Sequence, residues 1–151
     1  MKDLKTINER LSSVLIAEDD PDDRLIIKEA LEQNGFSFEH RFVNDGDELM
    51  NVLMSGLESD PDRASPLPGL IILDLNLPKK DGREALREIK SHPVLKTIPV
   101  VILTTSKNQE DVVYSYDSGA NSYIVKPTSF DAMTSIMQTL KKYWFDVTKL
   151  P

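Results

Sequence analysis

Short apolar runs without polar alternation recur along this chain: Val14-Leu15-Ile16-Ala17, Leu70-Ile71-Ile72-Leu73 and Ile98 to Leu103. Such runs fit strands buried on both faces. Phe38 to Val43 and Ser122-Tyr123-Ile124-Val125 read as two further strands. Between them, apolar residues return at helical spacing. Asp20-Pro21 is an N-cap followed by proline at the first helical position, with Leu25, Ile26, Ala30 and Leu31 recurring at helical spacing and Gly35 as the stop. Asp45-Gly46-Asp47-Glu48 resembles a capping box before Leu49, Val52 and Leu53. Gly82 to Lys90 reads as a third helix, ended by His92-Pro93. Ser106 is the expected cap of a fourth, and Thr128-Ser129-Phe130-Asp131 opens a last helix running to about Tyr143. Residues 58–68 form a breaker-rich loop. Strand–helix alternation of this kind implies an α/β fold, a doubly wound five-stranded parallel sheet with helices on both faces. The expected organisation is an arm over 1–12, one domain over 13–144 and a tail over 145–151.

Ligands of such sheets bind beyond the carboxyl ends of the strands, where strand order switches. Glu18, Asp19, Asp20, Asp22 and Asp23 follow the first strand, and Asp74 follows the third. Thr104, Thr105 and Ser106 follow the fourth strand, and Lys126-Pro127 follows the fifth. Asp20, Asp22 and Asp23 are explained by helix N-terminal chemistry, a cap plus dipole complement. Glu18, Asp19 and Asp74 are either structural acids or a cation site, because converging carboxylates must protonate or share a positive charge.

Composition narrows the chemistry. There are no cysteines and two histidines, His40 and His92. Thiolate metal sites, iron–sulfur clusters, Cys nucleophiles and His-rich sites are therefore excluded. An oxygen-only site suits a hard ion, and Mg²⁺ is commonly held by one or two carboxylates, water and a phosphate oxygen. A carboxylate such as Asp74 can also attack phosphorus, giving an aspartyl phosphate. Lys126 would then neutralise the transferring oxygens and the Thr104 hydroxyl would donate to one. The bland readings are a solvated lysine and strand-end filler. A cis peptide at Pro127 would aim Lys126 inward. The net charge of −7 argues against a nucleic-acid-binding surface. No run approaches the ~18 apolar residues of a membrane span, and the N-terminus lacks a signal-peptide core, so a cytoplasmic location is expected.

This constellation resembles the receiver domain of two-component response regulators. The resemblance rests on Glu18-Asp19 in VLIAEDD, Asp74 in IILDLNLPKKDG, Thr104 in VVILTTS, and Tyr123 with Lys126-Pro127 in SYIVKP. It runs from about Val14 to Tyr143. LDLNLPKKDGRE, IPVVILTTS, the loop before the third strand and the tail YWFDVTKLP are similar to small single-domain regulators that partner bacterial phytochrome histidine kinases. The resemblance implies a flavodoxin-like receiver with strand order 2-1-3-4-5, a phosphoacceptor at Asp74, and no conventional enzyme activity. It implies Mg²⁺ held by Asp19, Asp74 and the Asn76 backbone carbonyl, with Glu18 acting largely through water. Lys126 would contact the phosphoryl group, while Thr104 and Tyr123 would form the switch pair, hydroxyl toward phosphate and ring inward. Asn76 and Ser106 occupy positions that tune dephosphorylation in the family. Thr128 departs from the family, which commonly has an aromatic residue there.

The expected partner is a sensor histidine kinase, with output through protein contact. Phe130, Met133, Met137, Leu140 and Trp144 make a 3,4,3,4 stripe, flanked by Ile136 and Tyr143. The stripe is either all core or part of a homodimer face on helix 4, strand 5 and helix 5, with Phe130, Met137, Tyr143, Trp144 and Phe145 at the contact. Two other classes compete. A haloacid-dehalogenase-type phosphatase also uses an Asp nucleophile with Mg²⁺. Its nucleophile ends the first strand and a second Asp lies two residues on, where this chain has Asn76. A flavin or nucleotide module needs a Gly/Ser/Thr-rich loop after the first strand, where this chain has EDDPDD.

Overall fold

The computed structural model describes residues 13–33, 39–58 and 67–148. The expected arm over 1–12, the Gly35 stop and Phe38 lie outside these residues. Among the described residues, five strands, β1 (Val14–Ala17), β2 (His40–Val43), β3 (Leu70–Leu73), β4 (Val100–Thr104) and β5 (Ser122–Val125), alternate with five helices. The helices are α1 (Pro21–Gln33), α2 (Gly46–Glu58), α3 (Gly82–Ser91), α4 (Gln109–Asp117) and α5 (Phe130–Lys141). All strand pairs are parallel, in the order β2-β1-β3-β4-β5, so the expected doubly wound sheet forms. Strand order switches between β1 and β3, which opens the binding crevice at their carboxyl ends.

The apolar runs are buried on both faces because side chains alternate sides along a strand. Leu15, Ala17, Ile71, Leu73, Val100 and Ile102 pack into one core with Leu49 and Leu53 of α2 and Leu86 and Ile89 of α3. Val14, Ile16, Leu70, Ile72, Val101 and Leu103 pack into the other, with Ile27 and Leu31 of α1 and Met133, Met137 and Leu140 of α5. The α5 stripe is thus largely core. Met137 is fully buried, so it offers no surface to a partner, which corrects its placement at an interface. Phe130, Trp144 and Phe145 are half-buried, and Tyr143 is 52% exposed. Beyond α5 the chain makes a π-helical turn over Lys142–Val147.

The expected caps hold with one correction. Asp20 Oδ1 accepts from the Asp22 and Asp23 amides at 2.8 and 3.0 Å. Asp45 Oδ1 accepts from the Glu48 amide at 2.7 Å, while Glu48 reaches back to the Asn44 amide at 2.9 Å. Ser106 does not cap α4, whose N-cap is Asn108. Its hydroxyl instead donates to Asp111 Oδ2 at 2.5 Å and accepts from the amide of Asn108, the N-cap residue itself, at 3.4 Å. His92, at the end of α3, also caps the turn that follows: its Nδ1 accepts from the Val94 and Leu95 amides, both at 3.1 Å.

Candidate functional site

Parallel register brings the strand ends to one rim. Ala17 pairs with Leu73, so Glu18 and Asp74 leave neighbouring strands together, and the Asp74 amide donates to the Ala17 carbonyl at 3.1 Å. Thr104 pairs with Val125, and the Lys126 amide donates to the Thr104 carbonyl at 2.8 Å. The loop after Asp74 is held close by Gly82 at the start of α3. A Cβ there would lie 2.2 Å from the Asp74 carbonyl oxygen, so only glycine lets α3 approach. Asp81 caps this helix by accepting from the Arg83 amide at 2.9 Å.

Lys126 joins the carboxylates. Its Nζ lies 2.5 Å from Glu18 Oε1, 2.7 Å from Asp23 Oδ2 and 2.8 Å from Asp74 Oδ2. Glu18, Asp74 and Lys126 side chains are 2%, 7% and 5% exposed, so these charges interact with little water between them. Burial pushes the Glu18 carboxyl up to about 7, aided by the Asp74 charge and opposed by Lys126. Burial alone would lower the Lys126 pKa. Hydrogen bonds to Asp23, Asp74 and Glu18 outweigh it and hold the ammonium above its ordinary value. The Lys126–Pro127 peptide is not cis, so an ordinary trans peptide aims the lysine inward. Asp23 joins this cluster although its position in the first turn of α1 pointed only to the helix dipole. One turn of helix beyond Asp20 carries it back over the strand ends, a geometry that the acidic run EDDPDD does not reveal.

Glu18, Asp19 and Asp74 each offer an oxygen within 4.8 Å of the others. Glu18 and Asp74 are buried and Asp19 is exposed, which leaves an open side for water or a phosphoryl oxygen. This all-oxygen donor set fits a hard divalent cation. Asn76 lies in the same loop, and its amide donates to Asp74 Oδ1 at 3.1 Å. Thr104 is fully buried, and its Oγ1 accepts from the Ser106 amide at 3.4 Å. The Tyr123 ring packs inward against the α2–α3 core, and its hydroxyl donates to the Ser106 carbonyl at 2.9 Å. An open groove lies beside Asp19 between α1 and β2, lined by Pro21, Arg24, Leu25, Lys28, His40 and Phe42.

Residues 14–138 match the family described as the response regulator receiver domain. Response regulator Rcp1 of Synechocystis sp. is 41% identical over 138 residues, 91% of this chain and 92% of that protein. The crystal structure of the phosphorylated cyanobacterial phytochrome response regulator RcpA is 43% identical and superposes with a TM-score of 0.82, covering 92% of this chain and 97% of that one. The Mn²⁺-bound form of response regulator Rcp1 gives 40% identity and a TM-score of 0.80, over 92% and 98% of the two chains. This chain belongs to the response regulator receiver family.

Proposed function

We propose that this receiver accepts a phosphoryl group on Asp74 from a phosphohistidine of a sensor histidine kinase, with Mg²⁺ bound, and signals by protein contact. One observation carries the reading: a buried carboxylate, a buried lysine and two further acids converge where β1, β3 and β5 end. The Asp74 carboxylate oxygen would bond to phosphorus as the phosphorus–nitrogen bond breaks, and the leaving imidazole takes a proton. Lys126 lies within hydrogen-bond reach of Asp74 and would neutralise a phosphoryl oxygen. Asp19, Asp74 and the Asn76 carbonyl would hold Mg²⁺, with Glu18 acting through water. The ion would supply positive charge against the transferring oxygens. Thr104 would turn its hydroxyl to the phosphoryl group, with Tyr123 inward. On this reading the chain assists its own phosphorylation and dephosphorylation without turning over a separate substrate.

The similarity to RcpA, described as a phytochrome response regulator, supports a kinase of phytochrome type. Homodimerisation through α4, β5 and α5 is part of the proposal. Val113 and Tyr116 on α4, Val125 on β5 and Tyr143 after α5 are the exposed large apolar residues there. Phe130, Trp144 and Phe145 would border that contact. No helix among the described residues is long and apolar enough to cross a membrane, and a cytoplasmic location is proposed. Incubation with acetyl phosphate and Mg²⁺ tests the core of this: the chain should gain one phosphoryl mass, and Asp74→Asn should not. Equal labelling of that variant overturns the assignment.

A further inference from the structure

Ser106 is held at three atoms. Its amide donates to Thr104 Oγ1 at 3.4 Å, its hydroxyl donates to Asp111 Oδ2 at 2.5 Å, and its carbonyl accepts the Tyr123 hydroxyl at 2.9 Å. Asp111 is in turn gripped by Arg83, with Nε on Oδ1 at 2.7 Å and Nη2 on Oδ2 at 2.8 Å. Such a two-pronged guanidinium–carboxylate pair sets orientation as well as distance. The remaining guanidinium nitrogen, Nη1, reaches Asp81 Oδ1 at 3.1 Å, Asn76 Oδ1 at 3.4 Å and the Leu75 carbonyl at 3.5 Å. Tyr114 of α4 closes the other side by donating to the Arg83 carbonyl at 3.2 Å. Arg83 follows Gly82, which abuts the Asp74 carbonyl, so a shift of the loop after Asp74 must move Arg83 with it.

We propose that Arg83 and Asp111 are positioning residues for the switch tyrosine: they fix Ser106 so that its carbonyl holds the Tyr123 hydroxyl. The Asp74 loop thereby gains a connection to β5 that does not pass through the Thr104 side chain. The coupling part of this inference rests on Asp74 as phosphoacceptor. The positional part, Tyr123 held through Ser106, does not. Arg83 lies on α3 and Asp111 on α4, so the pair also ties the β4–α4 loop to the helix that flanks the acceptor. A lysine at Arg83 would keep the charge but cannot span Asp111 and Asn76 with one fork.

Fluorine NMR of protein grown with 3-fluorotyrosine tests the proposal, with Tyr123→Phe assigning one of the four tyrosines. In the parent chain the Tyr123 resonance should stand apart from that of solvated tyrosine. Asp111→Asn and Arg83→Gln should move it toward the solvated position, and Arg83→Lys should give an intermediate shift. Ser106→Ala removes one hydroxyl and keeps the carbonyl. It should reproduce Asp111→Asn, and the double variant should add nothing. The Asp111→Asn shift should persist in a Thr104→Ala background. Binding of beryllofluoride with Mg²⁺, a phosphoryl mimic, should weaken about fivefold in Asp111→Asn and Arg83→Gln. An unmoved Tyr123 resonance in Ser106→Ala and Asp111→Asn overturns the positioning role, and Ser106→Ala alone decides if Asp111→Asn does not fold. Unchanged mimic affinity with a moved resonance overturns the coupling. A parent chain that ignores beryllofluoride, or Asp74→Asn binding it equally, overturns the phosphoacceptor reading, while the fluorine shift still reports on the clamp.

Discussion

Addition of Mg²⁺ to the chelator-treated protein should stabilise it, and by more at pH 8 than at pH 6. Glu18 sets the difference. Burial raises its carboxyl from an ordinary 4.5 to about 7. The folded chain therefore binds this proton more tightly than the unfolded chain. The resulting stability is fully present below pH 4.5 and is lost as pH rises through 7. At about 1.4 kcal/mol per pH unit the full loss is about 3 kcal/mol. Above pH 7 the cluster of Glu18, Asp19, Asp23 and Asp74 then faces Lys126, and a divalent cation relieves that repulsion. At about 100 times its Kd the ion adds about 3 kcal/mol by linkage, or about 6–12 °C in Tm for a domain of this size. At pH 6 Glu18 is protonated about ten to one, so the ion must displace a proton. That weakens binding about tenfold and removes about 1.4 kcal/mol of the gain. Thermal unfolding followed by circular dichroism, in EDTA and across a Mg²⁺ series at both pH values, reads the effect. Glu18→Gln should erase the pH dependence of the shift. A flat Mg²⁺ series at pH 8 refutes the metal site, and equal shifts at pH 6 and 8 refute the role given to Glu18.

Other perturbations separate the parts of the molecule. Lys126→Ala strands the buried Glu18 and Asp74 charges. It should destabilise the chelated protein by about 3 kcal/mol, with part of the loss recovered by Mg²⁺ in the same melts, and should slow labelling by acetyl phosphate. Gly82→Ala places a methyl against the Asp74 carbonyl and should cost about 1–3 kcal/mol in urea unfolding. Met137→Ala should cost about 2–5 kcal/mol by opening a cavity between α5 and the sheet. Tyr143→Ala should change stability by less than about 0.5 kcal/mol yet weaken the proposed dimer, with light scattering as the readout. Leu25 is 56% exposed beside the α1–β2 groove. Leu25→Glu should slow phosphotransfer from a kinase and leave labelling by acetyl phosphate unchanged.

The sheet and most of the site were legible in the sequence because both follow from local rules. Short unbroken apolar runs between helical segments fit strands covered on both faces, and parallel strands end on one side of the sheet. Glu18, Asp74, Thr104 and Lys126 therefore end on one rim, and the strand order brings Glu18, Asp74 and Lys126 together there. The absence of cysteine and scarcity of histidine then left oxygen donors as the chemistry available to them. Only the tertiary structure decided what depends on how helices sit against the sheet. Asp23 reaches Lys126 because α1 begins directly over the strand ends, and Met137 is core because α5 packs its stripe onto β1, β3 and β4. Ser106 serves Asp111 and Tyr123 rather than its own helix because Arg83, more than twenty residues earlier, orients the carboxylate. Spacing along a chain specifies which backbone groups pair in a ladder. It does not specify which of several nearby charges a long side chain will choose, since that choice is made by desolvation and geometry in the packed molecule.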